Sequence, residues 1–145
     1  MAKNYSKPLR AYVYGLLNGN VTDDASANVP VANHAYNGLA YPHVLVKSQA
    51  FAEDGTKDLH GGNYSLIIEV VTRFDINEGG QDLLDEISNN VMQLLPVRLA
   101  SPVTLNTTGQ LTIFKHTNDN TLEEEDERYR YFWRRMIFEC YIIDS

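Results

Sequence analysis

The sequence predicts an α+β fold: a mainly antiparallel sheet with long hairpins, and two amphipathic helices packed on one of its faces. Three observations lead there. Two segments space their apolar residues at helical intervals, the stretch from Asn63 to Phe74 alternates with a period of two, and the helices are set between runs of strands. The expected order is helix, short strand, hairpin, helix, hairpin, all within a single domain spanning residues 1–145.

The first helix follows from Leu9, Tyr12, Val13, Leu16 and Leu17, which fall at i, i+3, i+4, i+7 and i+8 and make one apolar stripe. Ser6 is expected to cap its start. Pro8 is tolerated in a first turn whose N–H groups lack intrahelical partners, and Asn18-Gly19-Asn20 ends the helix. From Val21 to Asn33 the chain is rich in Asp, Ala, Ser and Asn and reads as a loop, with a short extended piece around Val29-Pro30-Val31. A strand is expected from His43 to Phe51, with Val44, Val46, Ser48 and Ala50 on one face. Turn signals follow: Asp54-Gly55 and Gly61-Gly62 punctuate the stretch from Glu53 to Gly62. The strongest strand is Asn63 to Phe74, where Tyr64, Leu66, Ile68, Val70, Thr72 and Phe74 alternate with Ser65, Ile67, Glu69, Val71 and Arg73. The second set is only partly polar, so that face is expected to be covered too. The two strands form a hairpin whose loop, Ala52 to Gly62, should project and carry Asp54, Lys57 and His60 to an interface.

The second helix is expected from about Gly80 to Leu95. Leu84, Ile87, Val91, Leu94 and Leu95 form its stripe, Asp82, Asp85 and Glu86 suit the positive end of its dipole, and Pro96 stops it. Thr104 to Gly109 reads as a polar turn. Leu111 to His116 and Tyr129 to Ile143 read as strands joined by an acidic loop, Asn118 to Glu127.

Composition narrows the function. Hydrophobic residues make up 43% and charged residues 21% of 145, which is globular rather than disordered. No apolar run approaches the roughly 20 residues of a membrane span, and the N-terminus carries no apolar signal core, so synthesis in the cytoplasm is expected. Cys140 is the single cysteine, which rules out an internal disulfide; in an apolar strand it reads as a buried, inert thiol. A net charge of −7 argues against a dedicated nucleic-acid binder, yet an acidic wall would let DNA slide past without sticking.

Two stretches in order, Tyr41-Pro42-His43-Val44-Leu45-Val46 and Tyr64-Ser65-Leu66-Ile67-Ile68-Glu69-Val70-Val71-Thr72-Arg73-Phe74, lead into Glu78-Gly79-Gly80-Gln81-Asp82-Leu83-Leu84-Asp85-Glu86-Ile87. A strand ending near Thr-Arg-Phe, followed by a Gly-Gly step into an amphipathic helix, resembles the tail terminator and tail-completion proteins of tailed bacteriophages. The N-terminal helix and long final strand also fit, so the resemblance covers most of the chain. It implies a closed, commonly sixfold ring at the head-proximal end of the tail tube. That ring would stop tube growth and join the head connector, with the tail tube protein and neck proteins as partners and DNA passing its lumen. It implies a virion protein at the head–tail junction, with no cofactor, no metal and no small-molecule substrate. Ser101 to Gly109 and the acidic loop look like family-variable insertions. A neighbouring neck or head-completion ring, a tail tube subunit, or a small ligand-binding domain or enzyme are the alternatives. A tube protein should polymerise and an enzyme should show a deep apolar pocket.

Ring formation also has a physical motive. Two strands apolar on both faces need more cover than two short helices provide, and head-to-tail contacts would also protect open sheet edges.

The run Arg128-Tyr129-Arg130-Tyr131-Phe132-Trp133-Arg134-Arg135 could stack on bases and pair with phosphates. On a strand, Tyr129, Tyr131, Trp133 and Arg135 share one face, and Arg128, Arg130, Phe132 and Arg134 the other. Tyr, Trp and Arg are enriched at protein interfaces. The run is therefore expected to form an intersubunit surface, its arginines pairing with acids of the run Glu123-Glu124-Glu125-Asp126-Glu127 in the same or the next subunit. Those acids could also hold a hard cation or dock a basic ring, but a solvated hairpin tip is the simpler reading. The histidines 34, 43, 60 and 116 have no zinc-ligand spacing. His60-Gly61-Gly62 reads as a flexible loop, and Gly79-Gly80 as a tight turn rather than an anion site. No catalytic constellation stands out.

Overall fold

Among residues 4–53, 60–96, 99–105 and 108–144, which the computed structural model describes, the chain forms two helices and a six-stranded sheet. The helices are α1 (Ser6–Leu17) and α2 (Asp82–Leu94). The strands are β1 (Val31–Ala32), β2 (His43–Glu53), β3 (His60–Asp75), β4 (Val103–Leu105), β5 (Gly109–Glu125) and β6 (Tyr129–Asp144). Their spatial order is β1-β2-β3-β6-β5-β4. The β1–β2 pair is parallel and the other four pairs are antiparallel.

Helix α1 buries Leu9, Val13 and Leu17, as its stripe predicts. Ser6 does not cap it: Ser6 is already helical, Tyr5 stands at the cap, and Asn4 Oδ1 accepts the Ser6 N–H at 2.8 Å. Burial decides this start. Tyr5 is 2% exposed, its backbone N–H donates to the Tyr64 hydroxyl at 2.9 Å, and its own hydroxyl donates to Asp144 at 2.7 Å. Helix α2 begins two residues later than expected and seats Leu84, Ile87 and Val91 on the same core. Before it, Gly79 takes φ +82° and lies so close to the Phe74 ring that a Cβ there would collide with it. The proline after Leu95 ends α2 in extended backbone, as expected.

One face of the sheet takes both helices. Tyr64, Leu66, Ile68 and Val70 of β3, Phe132, Met136, Phe138, Cys140 and Ile142 of β6, and Leu111 and Phe114 of β5 share a single cluster with both helices. We call this the core face. The opposite, open face carries no helix.

Several boundaries differ from expectation, always because a long partner strand extends the ladder. His60-Gly61-Gly62 is strand rather than loop, since β6 templates β3 as far as His60↔Asp144. The β2–β3 hairpin accordingly persists to Glu53↔Gly62, and the rest of the expected loop, residues 54–59, lies outside the described residues. A register shift between Ser48 and Ala50 sets Ala50 opposite Ser65 and interrupts the regular alternation expected along this strand. Thr104 and Leu105 belong to β4 rather than a polar turn. The largest correction concerns the acidic loop: Asn118 to Glu125 continue β5, paired with β6 out to Glu125↔Arg130.

Candidate functional site

The aromatic–arginine run and most of the acid run, expected as a strand and the loop before it, are the two strands of one hairpin. Its turn is organised by Asp126. The Asp126 carboxylate accepts the backbone N–H groups of Arg128 at 2.8 Å and Tyr129 at 2.7 Å, and the Tyr131 hydroxyl donates to it at 3.3 Å. The two amides, with the hydroxyl and the Arg128 charge behind them, hold this carboxyl below the usual carboxylate range.

On the core-face side of the hairpin the arginines find acids of their own chain. Arg130 reaches Glu125 at 3.3 Å and Glu123 at 3.7 Å. Arg134 grips Asp119 through Nε at 2.8 Å and Nη2 at 2.6 Å, and its Nη1 stands 3.7 Å from Asp85 of α2. These hydrogen bonds to Asp119 raise its already high pKa further. Arg134 therefore ties β6, β5 and α2 together.

On the open face, the Arg73 guanidinium lies 4.4 Å from the Tyr41 ring centre and 4.3 Å from that of Tyr129, a double cation–π contact. Tyr41 also approaches His43 at 4.7 Å and Tyr131 at 6.0 Å. Burial lowers the His43 pKa, and its Nδ1 sits 3.0 Å from the Ala40 carbonyl. Next along the sheet, Glu69 is 6% exposed and meets Lys47 Nζ at 2.6 Å and Arg135 at 3.6 Å. The Arg135 Nε is buried without a hydrogen-bond partner. Half-buried Val71, Ile67, Trp133 and Ile137 surround these charges.

Of the residues expected at an interface, Arg128, Arg130, Tyr131, Trp133, Arg134, Glu124 and Glu125 thus gather on the β5–β6 hairpin. Asp54 and Lys57 lie outside the described residues. His60 belongs to β3, at the other end of the sheet from the hairpin turn. Sequence reading missed Arg73, Tyr41, Asp119 and Asp85. Arg73 carries a signal, since it is the one cation in the outward set of a clear alternation. Asp119 carries none, because a second register shift between His116 and Asn118 resets which side chains face the core.

Other chemistry is sparse. Cys140 is 2% exposed and burial pushes its thiol up to about 12, which keeps it protonated and inert. Among the described residues no group of three His, Cys, Asp or Glu side chains could hold a metal ion. No helix there is long and apolar enough to cross a membrane. A cleft of about 520 Å³ opens between α1 and the β1–β2 edge, lined by Lys7, Arg10, Tyr14, Val31 and Tyr36 among others.

No protein-family model matches the sequence, and no curated protein matches it. Its fold has a counterpart among solved structures: a chain described as "Virion of native gene transfer agent (GTA) particle" superposes with a TM-score of 0.70 at 18% identity. The match covers 93% of this chain and 94% of that one, so the two share their fold almost end to end.

Proposed function

We propose that this chain is a structural protein of a tailed-phage-like virion and, more narrowly, a tail terminator subunit that works as a closed ring. The observation that carries the reading is the fold it shares, over 93% of its length, with a chain of a gene transfer agent virion. The order of motifs that resembles tail terminators narrows it further. The physics of the sheet agrees: among the described residues, a helix-free face with half-buried Ile67, Val71, Trp133 and Ile137, and a β5 margin left unpaired beyond Leu111 by the short β4, both gain cover from neighbouring subunits.

In this reading the protein acts by geometry. The ring caps the tail tube, its far surface meets the head connector, and DNA passes the lumen. A net charge of −7 keeps that DNA from adhering. The test is to add purified protein to growing tail tubes and image them by negative stain. Tubes that stop at uniform length with one ring at one end are expected. Long polymers of this protein alone would identify a tube subunit instead, and rings that bind only the connector would identify a neck protein.

A further inference from the structure

Among the described residues, four of the five exposed large apolar side chains fall into two groups, the fifth being Ile113 (52% exposed), opposite Tyr141 in the other half of the β5–β6 hairpin. Tyr14 (39% exposed) and Tyr36 (54%) line the cleft beside α1, while Leu122 (40%) and Ile76 (36%) flank the far end of the β5–β6 hairpin, where the Ile76 N–H donates to the Arg128 carbonyl at 3.1 Å. Charge divides the same way. The cleft carries Lys7 and Arg10, and neither enters a salt bridge among the described residues; Arg10 donates only to the Ser48 hydroxyl, at 2.7 Å. The hairpin end carries five consecutive carboxylates, Glu123 to Glu127, against two guanidinium groups, Arg128 and Arg130. Arg130 is engaged by Glu123 and Glu125, and Asp126 by the turn, whereas exposed Glu124 and Glu127 have no salt bridge among the described residues.

We infer that the cleft between α1 and the β1–β2 edge receives the acidic hairpin end of a second copy of this chain. Charge selects the occupant, because an apolar, cationic cleft and an apolar, anionic hairpin are complementary in both respects. Topology makes the contact intermolecular. Strands β3 and β6 separate β2 from β5, so cleft and hairpin stand at opposite margins of one sheet. A contact joining opposite margins is head-to-tail, and such contacts close into a ring when the rotation permits. Glu124 and Glu127 would face Lys7 and Arg10 of the neighbour, with Leu122 against Tyr14 and Tyr36. The inference deepens the ring reading and rests on it.

Sedimentation of four variants tests the contact. Glu124→Lys with Glu127→Lys, and separately Lys7→Glu with Arg10→Glu, should each weaken self-association by on the order of a hundredfold, as like charges are brought together. Combining all four substitutions should restore the ring. Lys7→Glu alone, which leaves the Arg10–Ser48 bond intact, covers the case in which the Arg10 change unfolds the chain. Rings that survive the Glu124 and Glu127 reversals, or a combination of folded variants that fails to restore them, would overturn the contact. A wild type that stays monomeric would overturn it too, as a self-sufficient ring contact. The tube-capping assay would then judge the ring reading on its own.

Discussion

The two halves of the β5–β6 hairpin share one hydrogen-bonded ladder yet are held by different forces. In the half nearer the chain terminus, Leu111, Phe114, Phe138, Cys140 and Ile142 are all buried, and Phe114 stacks against Phe138 at 5.1 Å. Burial of this kind is non-directional and strong. In the half nearer the turn, every residue of β5 from Thr121 to Glu125 is exposed, and order comes from the ladder, the Asp126 cap and the charge pairs of Arg130 and Arg134. One half makes the fold. In the other, β5 spends no core and leaves exposed side chains available to a neighbour, while β6 still buries Phe132 and Met136.

That contrast can be broken first where it is steepest. Phe138 is fully buried between Phe114 and His116, so Phe138→Ala should cost about 3–5 kcal/mol in urea unfolding, by lost transfer energy plus a cavity. A cost under 1 kcal/mol would mean that the packed half does not anchor the sheet. Arg134 is a charged tie between the turn-side half and α2, beside the buried Phe132 and Met136. Removing it as Arg134→Ala leaves Asp119 and Asp85 without their cation and should cost about 2 kcal/mol, less than the core change because the pair is a quarter exposed. High salt should leave the Phe138 effect unchanged and shrink the Arg134 effect.

The same division explains what could be read in advance. The segment Asn63–Phe74 was legible because burial imposes an uninterrupted period of two, and α2 because Leu84, Ile87 and Val91 must share one face. The turn-side half of β5 was not legible. Thr, Asn, Asp and Glu have little intrinsic strand preference, nothing there is buried on a period, and two register shifts scramble the alternation. It is a strand because β6 lies beside it, a fact held across the turn in the aromatic run. His60-Gly61-Gly62 misled for the related reason that a glycine pair signals a turn only when no long neighbour claims it. The candidate interface was legible as composition, since Arg128 to Arg135 and Glu123 to Glu127 stand out in the chain. Which arginine meets which acid was not, because Arg134 skips the acid run entirely and takes Asp119.

The smallest expected effect is the most local. Asp126 is more fully ionised in the folded turn than a free aspartate would be at the same pH, because the Tyr129 and Arg128 amides bind the charged form. A lowered folded pKa means that the carboxylate's contribution is complete above the unfolded value and is lost as pH falls through the folded one. The amide resonances of Arg128 and Tyr129 should therefore move together, with a midpoint below that of a free aspartate. Amides of the packed half, such as that of Phe138, should not follow them. If the Tyr129 amide instead titrates at the value of a free aspartate, the turn is not held by Asp126. The end of the hairpin would then owe its order to contacts outside the chain, which would sharpen the case that this half is shaped by its neighbour.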